Sequence, residues 1–467
     1  MTGPTTLTWA AVVLLGVVPV TDDAARAEVD RLAPLVAAVR KLPFRAALPV
    51  RAASREAMRA DVTAALSANV ASSSIAVEEQ ILKRLGLIPA TADYTRLLAD
   101  ATFSSPVPYY DPGTKRLLVP ASEPLDGQRF LLAHEIAHAL TDRRFGIDRF
   151  VRLDRAGKPL DGDAQRARLA VVEGDATVAA LELHDRRGSL QGAYGATALA
   201  DRLRTVIPSP SRGAPAWLTE LARFSHVDGF SFIARIRAHQ PWSAVDAVWL
   251  DPPTSSEQVL HPEKYELCEE PVRVDDELLP ATLPGFEQRA GAAVLGELLA
   301  RAWLSQSLPA DTAARAAAGW AGDRAAIYAA PPAAARADAG TTAVDAQPPL
   351  VWLTIWDDAG EADDFARAAD QVPATASGPV TVARRAEAVA LFFGPRELAP
   401  AALDSTLDAW RASVTPTKKG TLKGSPCPPA RGCAGQSPAT PDALKGARPR
   451  RAAPPSCPRR DRTAAPR

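Results

Sequence analysis

The spacing of apolar positions predicts that the first part of the chain is mainly helical. Apolar residues that recur every three or four positions are typical of helices with a buried face. Five segments have this pattern, at residues 32–40, 55–68, 128–141, 163–184 and 285–308. Two short apolar runs, at 48–51 and 116–120, predict strands between the helices.

The pattern changes after about residue 320. Apolar runs predict strands, and two segments keep the helical spacing. The predicted strands are 323–330, 350–356, 380–383 and 386–393, and the helices are 361–369 and 400–412. This ββαββα order predicts a small α+β domain with helices on one face of an antiparallel sheet. The Ala- and Pro-rich stretch 330–349 is expected to be an inserted loop.

The predicted helix at 128–141 contains the sequence His134-Glu135-Ile136-Ala137-His138. Histidines four positions apart lie on one helix face, so both imidazoles can bind one metal ion. Glu135 lies about 100° round the helix, where it can hold a metal-bound water. The helix is apolar almost all round and should be buried, where unpaired polar groups are costly. A metal would satisfy all three side chains. The alternative is a surface helix with incidental histidines.

A second helix, at 163–184, places Glu173 in the middle of an apolar face. A carboxylate from there can supply a third ligand and leave one coordination position open, as in catalytic zinc sites. The next residue, Gly174, is costly in a helix interior. We expect it there because the helix approaches the histidine-bearing helix closely. The alternative for Glu173 is an ion pair with Arg166 or Arg168.

HEIAHAL followed by an EGDA helix resembles the gluzincin group of zinc metallopeptidases. The resemblance covers about 60 residues and implies that Zn²⁺ is bound by His134, His138 and Glu173, with Glu135 as general base. It also implies a peptide or protein substrate. Thermolysin-like enzymes have an Asp four residues after the ligand Glu, which orients one histidine. Here that residue is Thr177, and Asp175 should face elsewhere on the helix.

A wider likeness, over roughly residues 32–394, is to uncharacterised bacterial HExxH proteins that are usually secreted. Besides HEIAHAL, the segments that match are YYDP, VVEGDAT, PPTSSEQVLHPEKY, WAGDRAAIY and WLTIWDDAGEADDF. This likeness implies a zincin-like fold and lends no substrate.

The chemistry also needs a donor for the oxyanion that develops during hydrolysis. His261 and Tyr265 are our candidates, because they lie four residues apart in a polar segment. The alternative is that this segment only packs against the metal-bearing helices. His226 is expected in local core or a cleft wall. The strand at 116–120 precedes the HExxH helix and is a candidate for pairing with extended substrate.

Net charge is zero overall but unevenly distributed. The last 50 residues contain 12 Lys or Arg and 2 acidic residues, which leaves 42 basic and 52 acidic residues in the preceding part. The tail is rich in Pro, Arg, Ala and Ser and is predicted to be disordered. It has no interleaved aromatic residues, and we expect no nucleic-acid partner.

Residues 7–20 form an apolar run of signal-peptide length, followed by Ala25-Arg26-Ala27 as a possible cleavage site. We expect a secreted, periplasmic or cell-envelope protein, with an uncleaved membrane anchor as the alternative. The predicted organisation is a signal peptide or anchor at 1–27, a mainly helical zincin-like α+β domain with a small antiparallel sheet at 28–310, the small α+β domain at 311–413 and the disordered basic tail at 414–467. The predicted function is zinc-dependent peptide hydrolysis. The alternatives are a catalytically inactive, metal-stabilised binding protein and a metal-free scaffold.

Overall fold

A computed structural model describes residues 19–69, 73–102, 106–185, 198–201, 214–288, 292–329, 347–373 and 379–413. Within these residues the protein is mainly helical, with two sheets. The predicted tail and most of the predicted signal segment lie outside them.

The first sheet has three short strands beside the N-terminal helices. The strands are β1 (Val50–Ala53), β2 (Tyr109–Asp111) and β3 (Arg116–Pro120). Strand β3 lies in the middle, parallel to β1 and antiparallel to β2. Both edges of β3 are therefore paired, and the expectation that it pairs with extended substrate is wrong. The strand that offers an edge on the side of the HExxH helix is β2.

The N-terminal helices are α1 (Asp22–Arg40), α2 (Arg55–Asn69), α3 (Ser73–Arg84) and α4 (Tyr94–Thr102). Helix α1 begins inside the segment predicted to be removed, with the Thr21 side chain as its N-cap and Ala25 fully buried. A cut after Ala27 would remove this cap and a core residue. No helix in the described part of the chain is long and apolar enough to cross a membrane.

The central helices are α5 (Leu125–Phe145), α6 (Ile147–Arg152) and α7 (Gly162–His184). They are followed by α8 (Ala216–Arg223), a π-helical turn (Phe224–Asp228), α9 (Gly229–Arg237) and α10 (Trp242–Leu250). Two short helices follow, α11 (Ser256–Leu260) and α12 (Pro262–Glu266). Helix α5 is buried on most sides, as its all-round apolar sequence predicts, and α7 is also buried on most sides although only one apolar face was predicted for it.

Gly174 allows a close helix contact, but with a different partner from the one expected. A Cβ at Gly174 would lie 2.2 Å from the carbonyl oxygen of Gly229, and a Cβ at Gly229 would lie 2.2 Å from that of Ala170. The two glycines therefore bring α7 against the start of α9. The close approach is made to α9 and not to the HExxH helix.

The second sheet is antiparallel and six-stranded, in the order β4-β5-β6-β7-β9-β8. Its strands are β4 (Thr282–Leu283), β5 (Phe286–Gln288), β6 (Trp320–Ala329), β7 (Leu350–Trp356), β8 (Val380–Arg385) and β9 (Ala388–Phe393). The helices that accompany it are α13 (Gly296–Leu304), α14 (Ala310–Ala317), α15 (Ala359–Ala369) and α16 (Ala399–Ser413).

The long helix predicted at 285–308 forms only in its second half. Gly285 has φ +78°, which turns the chain between β4 and β5. The Ala- and Leu-rich composition therefore predicted a longer helix than the one that forms.

Helices cover both faces of this sheet, and not the single face that we expected. Trp303 and Phe365 pack on one face against Trp352, in the same core as α5 and α7. On the other face Leu403 joins Leu353 in a separate cluster. The reason is visible in β7, whose seven residues are all buried. The sheet thus shares one core with the metal-bearing helices, across the predicted boundary at 310.

Candidate metal centre

The two long helices α5 and α7 bring the three predicted ligands together. His134 and His138 lie one turn apart on α5, and Glu173 lies in the middle of α7. Oε2 of Glu173 is 3.2 Å from His134 Nε2 and 3.5 Å from His138 Nε2. The two Nε2 atoms are 2.9 Å apart. The three ligand atoms therefore converge on one point, as the histidine spacing predicts.

The donor set suits a zinc ion. Two imidazole nitrogens and one carboxylate oxygen lie within 4.8 Å of one another, which is the ligand number and type of a catalytic zinc site with one open position. The three side chains are largely buried. Buried polar groups need partners, and a cation at their centre would satisfy all three at once.

The charges of the site keep Glu173 ionised. Although burial opposes it, the charges of His138 and His226 hold the pKa of Glu173 well below its ordinary value. Burial opposes the charged form of His138 as well, but the Glu173 carboxylate outweighs this effect and raises the pKa of His138 to about 9. Burial lowers the pKa of His134 to about 4, and the charge of His138 adds to this. Metal binds an ionised carboxylate and neutral imidazoles, so a bound metal would displace the proton of His138.

Glu135 points from α5 towards the edge strand β2. Its Oε2 accepts a hydrogen bond of 2.7 Å from the backbone N–H of Tyr110. Burial raises the pKa of Glu135 to about 7, while the charge of His138 acts in the opposite direction. A carboxyl group that titrates near neutral pH can both accept and return a proton.

Among the described residues, no carboxylate is hydrogen-bonded to Nδ1 of either histidine. Oγ1 of Thr177 lies 3.4 Å from Nδ1 of His134. Nδ1 of His138 is buried and, among the described residues, has no hydrogen-bond partner. Asp175 faces away, as predicted, and its carboxylate forms a bidentate ion pair with Arg40 and accepts from Trp249 Nε1.

His226 was expected in local core or a cleft wall, and its contact with a ligand of the site was not predicted. It lies in the π-helical turn between α8 and α9, and its Nδ1 is 3.1 Å from Oε2 of Glu173. Its side chain is 43% exposed, whereas those of the three ligands are 9–16% exposed. It lies outside the group of mutually close ligand atoms. His226 therefore borders the site on the side that opens to solvent. Two buried neighbours, Phe224 and Phe230, were the signal for a cleft wall.

His261 and Tyr265, the predicted oxyanion donors, make their contacts elsewhere. Nε2 of His261 is 2.9 Å from Oε1 of Glu297 on α13. The hydroxyl of Tyr265 donates to the backbone carbonyl of Asp251 at 2.7 Å, and its ring is 1% exposed. None of the contacts described for either side chain joins it to the three ligands. These contacts are made to α13 and to Asp251 after α10.

The same segment joins the helical body to the six-stranded sheet. The ammonium of Lys264 lies within 3.1 Å of three carboxylates, those of Glu257, Glu269 and Asp357. The three carboxylates are close enough to hold a cation, and the lysine fills that place. Ser256 adds a further link, because its backbone N–H donates to Asp163 at the start of α7.

Comparison with known proteins adds one match. Residues 282–397, about a quarter of the chain, match a family described as Domain of unknown function (DUF8575). This region covers the six-stranded sheet with α13, α14 and α15, and it excludes the candidate metal centre. No curated protein and no solved structure matches the chain.

Proposed function

We propose that this protein is a zinc-dependent peptidase. The observation that carries the proposal is the convergence of His134, His138 and Glu173 on one point. Glu135 lies beside them, on the same buried helix as the two histidines. Bound zinc would polarise the scissile carbonyl and acidify a bound water. The gluzincin resemblance of HEIAHAL and EGDA supports this ligand set.

Glu135 would act as general base. It would take the proton of the attacking water and deliver it to the leaving amine. The role is supported by its place between the two histidines and by the bond to Tyr110, which limits the positions of the carboxylate. Its neighbour β2 presents the edge along which an extended peptide would lie.

His226 would supply the donor to the developing oxyanion in place of His261 and Tyr265. It is the most exposed of the four polar side chains that meet at Glu173. Its carboxylate partner also raises its pKa above the ordinary value, against the effect of burial. A protonated imidazole at the rim of the site can donate to charge that forms on a substrate oxygen.

One observation favours a second function. A metal site whose histidines have no carboxylate partner within the described part of the chain also suits a metal-stabilised binding protein with a peptidase-like arrangement and no turnover. Export is a separate proposal that depends on the apolar run at 7–20. The proposed partners are a peptide or protein substrate, and a membrane only if that run is retained.

The test measures zinc and cleavage on the full chain. Zinc per chain by mass spectrometry should be about one in the wild type and sharply reduced in Glu173→Ala, with His239→Ala as a control at an exposed histidine. Glu135→Gln should keep zinc and lose cleavage of a complex peptide mixture, because it removes only the base. Cleavage by Glu135→Gln at the wild-type rate would refute the mechanism. Zinc without cleavage in the wild type would favour the binding protein.

A further inference from the structure

The orientation of the two ligand histidines determines which ring nitrogen carries the proton when metal is bound. Both imidazoles direct Nε2 towards Glu173, so Nε2 must be unprotonated when metal is bound. The proton of each ring then lies on Nδ1, which becomes a donor. In metal sites this donor is almost always bonded to a carboxylate, a carbonyl or a water.

Neither donor has a strong partner among the described residues. Nδ1 of His134 faces the Thr177 hydroxyl at 3.4 Å, which is beyond the usual length of an N–H···O bond. The buried Nδ1 of His138 has no partner within these residues. The two nearby carboxylates are already used, since Asp175 binds Arg40, and Asp142 accepts from Tyr110 and Lys115.

A partner on Nδ1 holds the ring in place and makes the other nitrogen a better ligand, and its loss costs about 10–100-fold in metal affinity. A site that lacks both carboxylates should therefore bind zinc less tightly than one that has them. It should also release the ion faster.

We propose that this protein holds its zinc as an exchangeable ion, and that Thr177 is the positioning residue that sets the affinity. The inference rests on the proposed zinc site. Its consequence is that metal occupancy, and with it activity, would follow the supply of free zinc around the protein.

Thr177 is well placed for this role. It lies one turn after Glu173 on α7, so both side chains share the face towards α5. It is 6% exposed, and the hydrogen-bond contact that its hydroxyl makes within the described residues is with His134. An Asp at this position would place a carboxylate beside His134 Nδ1, whereas a Val would keep the shape and remove the oxygen.

The chain also offers a matched control. Thr141 is a second buried helical threonine, three residues after His138, but the bonds described for its hydroxyl go to the backbone carbonyls of Ala137 and His138. Thr141→Val therefore removes an equivalent hydroxyl near the site without touching an imidazole.

The experiment measures zinc dissociation constants and release rates for the full chain by competition with chromophoric chelators. Thr177→Asp should bind zinc about ten-fold more tightly and release it more slowly, and Thr177→Val should bind it several-fold more weakly. Thr141→Val should match the wild type.

Equal zinc affinity in wild type, Thr177→Val and Thr177→Asp would overturn the inference and leave the proposed function intact. An equal loss in Thr141→Val and Thr177→Val would also overturn it, because the effect would then be one of packing. A wild type that binds no zinc would refute the proposed function and this inference with it.

Discussion

The backbone N–H of Tyr110 donates to the carboxylate of Glu135, and the phenol of the same residue donates to Asp142, each at 2.7 Å. The two acids lie seven residues, about two turns, apart on one face of α5. The Tyr110 side chain thus lies along α5, and hydrogen bonds hold the residue at its backbone N–H and at its hydroxyl. Asp142 also accepts from Lys115 and from the backbone N–H of Ile147. The β2–β3 hairpin is thereby anchored beside the proposed base.

Tyr110→Phe should lower turnover without loss of zinc. The variant keeps the backbone donor to Glu135 but releases the anchor at Asp142, so the strand can shift relative to the base. We expect a several-fold fall in kcat with little change in KM, and a loss of about 1–2 kcal/mol in unfolding free energy. Tyr94→Phe is the control, because the Tyr94 hydroxyl contacts Trp217, outside the site. An equal fall in kcat in both variants would show that the effect is not specific to Glu135.

Gly174→Ala should be strongly destabilising. Its Cβ would lie 2.2 Å from the Gly229 carbonyl oxygen and 2.9 Å from Ile233 Cγ1, so α7 and α9 would have to separate. We expect a loss of about 3 kcal/mol in denaturant unfolding. Gly127→Ala on α5 meets nothing within 4 Å and should gain about 0.5–1 kcal/mol. A Gly174→Ala variant as stable as the wild type would mean that the helices are not held at this distance.

The candidate site was predictable where its chemistry is local in sequence. The HExxH spacing fixes two imidazoles on one helix face. Glu173 interrupts an apolar helix face, where an unpaired carboxylate would be costly. The unfavourable Gly174 was predicted to mark a close contact, but sequence spacing cannot say with which element, and the partner is Gly229.

The remaining features depend on contacts between distant segments. His226 reaches Glu173 only because the π-helical turn is docked beside α7, and no periodicity encodes that docking. Strand β3 was recognised as a strand, but its central place depends on β1, which lies more than 60 residues earlier. His261 and Tyr265 have the right spacing for a shared face, yet their partners on α13 and at Asp251 decide where they point.

Arg40→Met should cost far more than an exposed arginine on the same helix. Arg40 and Asp175 are both 0% exposed, and the variant would leave a buried carboxylate without its main cation. Removal of one partner of a buried pair costs about 3–5 kcal/mol. Arg31→Met, which breaks a pair with Glu28 at a half-exposed side chain, should cost much less, because exposed ion pairs contribute little. Thermal or urea unfolding compares the two, and similar losses would contradict the buried network.

Asp163 should make the protein less stable as the pH rises from about 4 to about 7. Its side chain is 1% exposed, and its Oδ1 has no hydrogen-bond partner among the described residues, although Arg166 Nε lies 4.0 Å away. Burial outweighs the charge of Arg166 and raises the pKa of Asp163 to about 7 from an ordinary 3.8. The folded state therefore binds more protons than the unfolded state between these values. Linkage then requires that the unfolding free energy falls with pH in this window and levels off above it.

Asp163→Asn removes this titration and can keep the acceptor for the Ser256 N–H. Its unfolding free energy should depend less on pH between 5 and 8 than that of the wild type, and at pH 8 it should match or exceed the wild type. Asp30→Asn, at an exposed position on α1, should keep the wild-type profile. Urea unfolding at several pH values measures all three proteins. A profile for Asp163→Asn parallel to the wild type would mean that Asp163 is ionised in the folded protein across the whole range, with Arg166, whose Nε lies 4.0 Å from Oδ1, as its counter-charge.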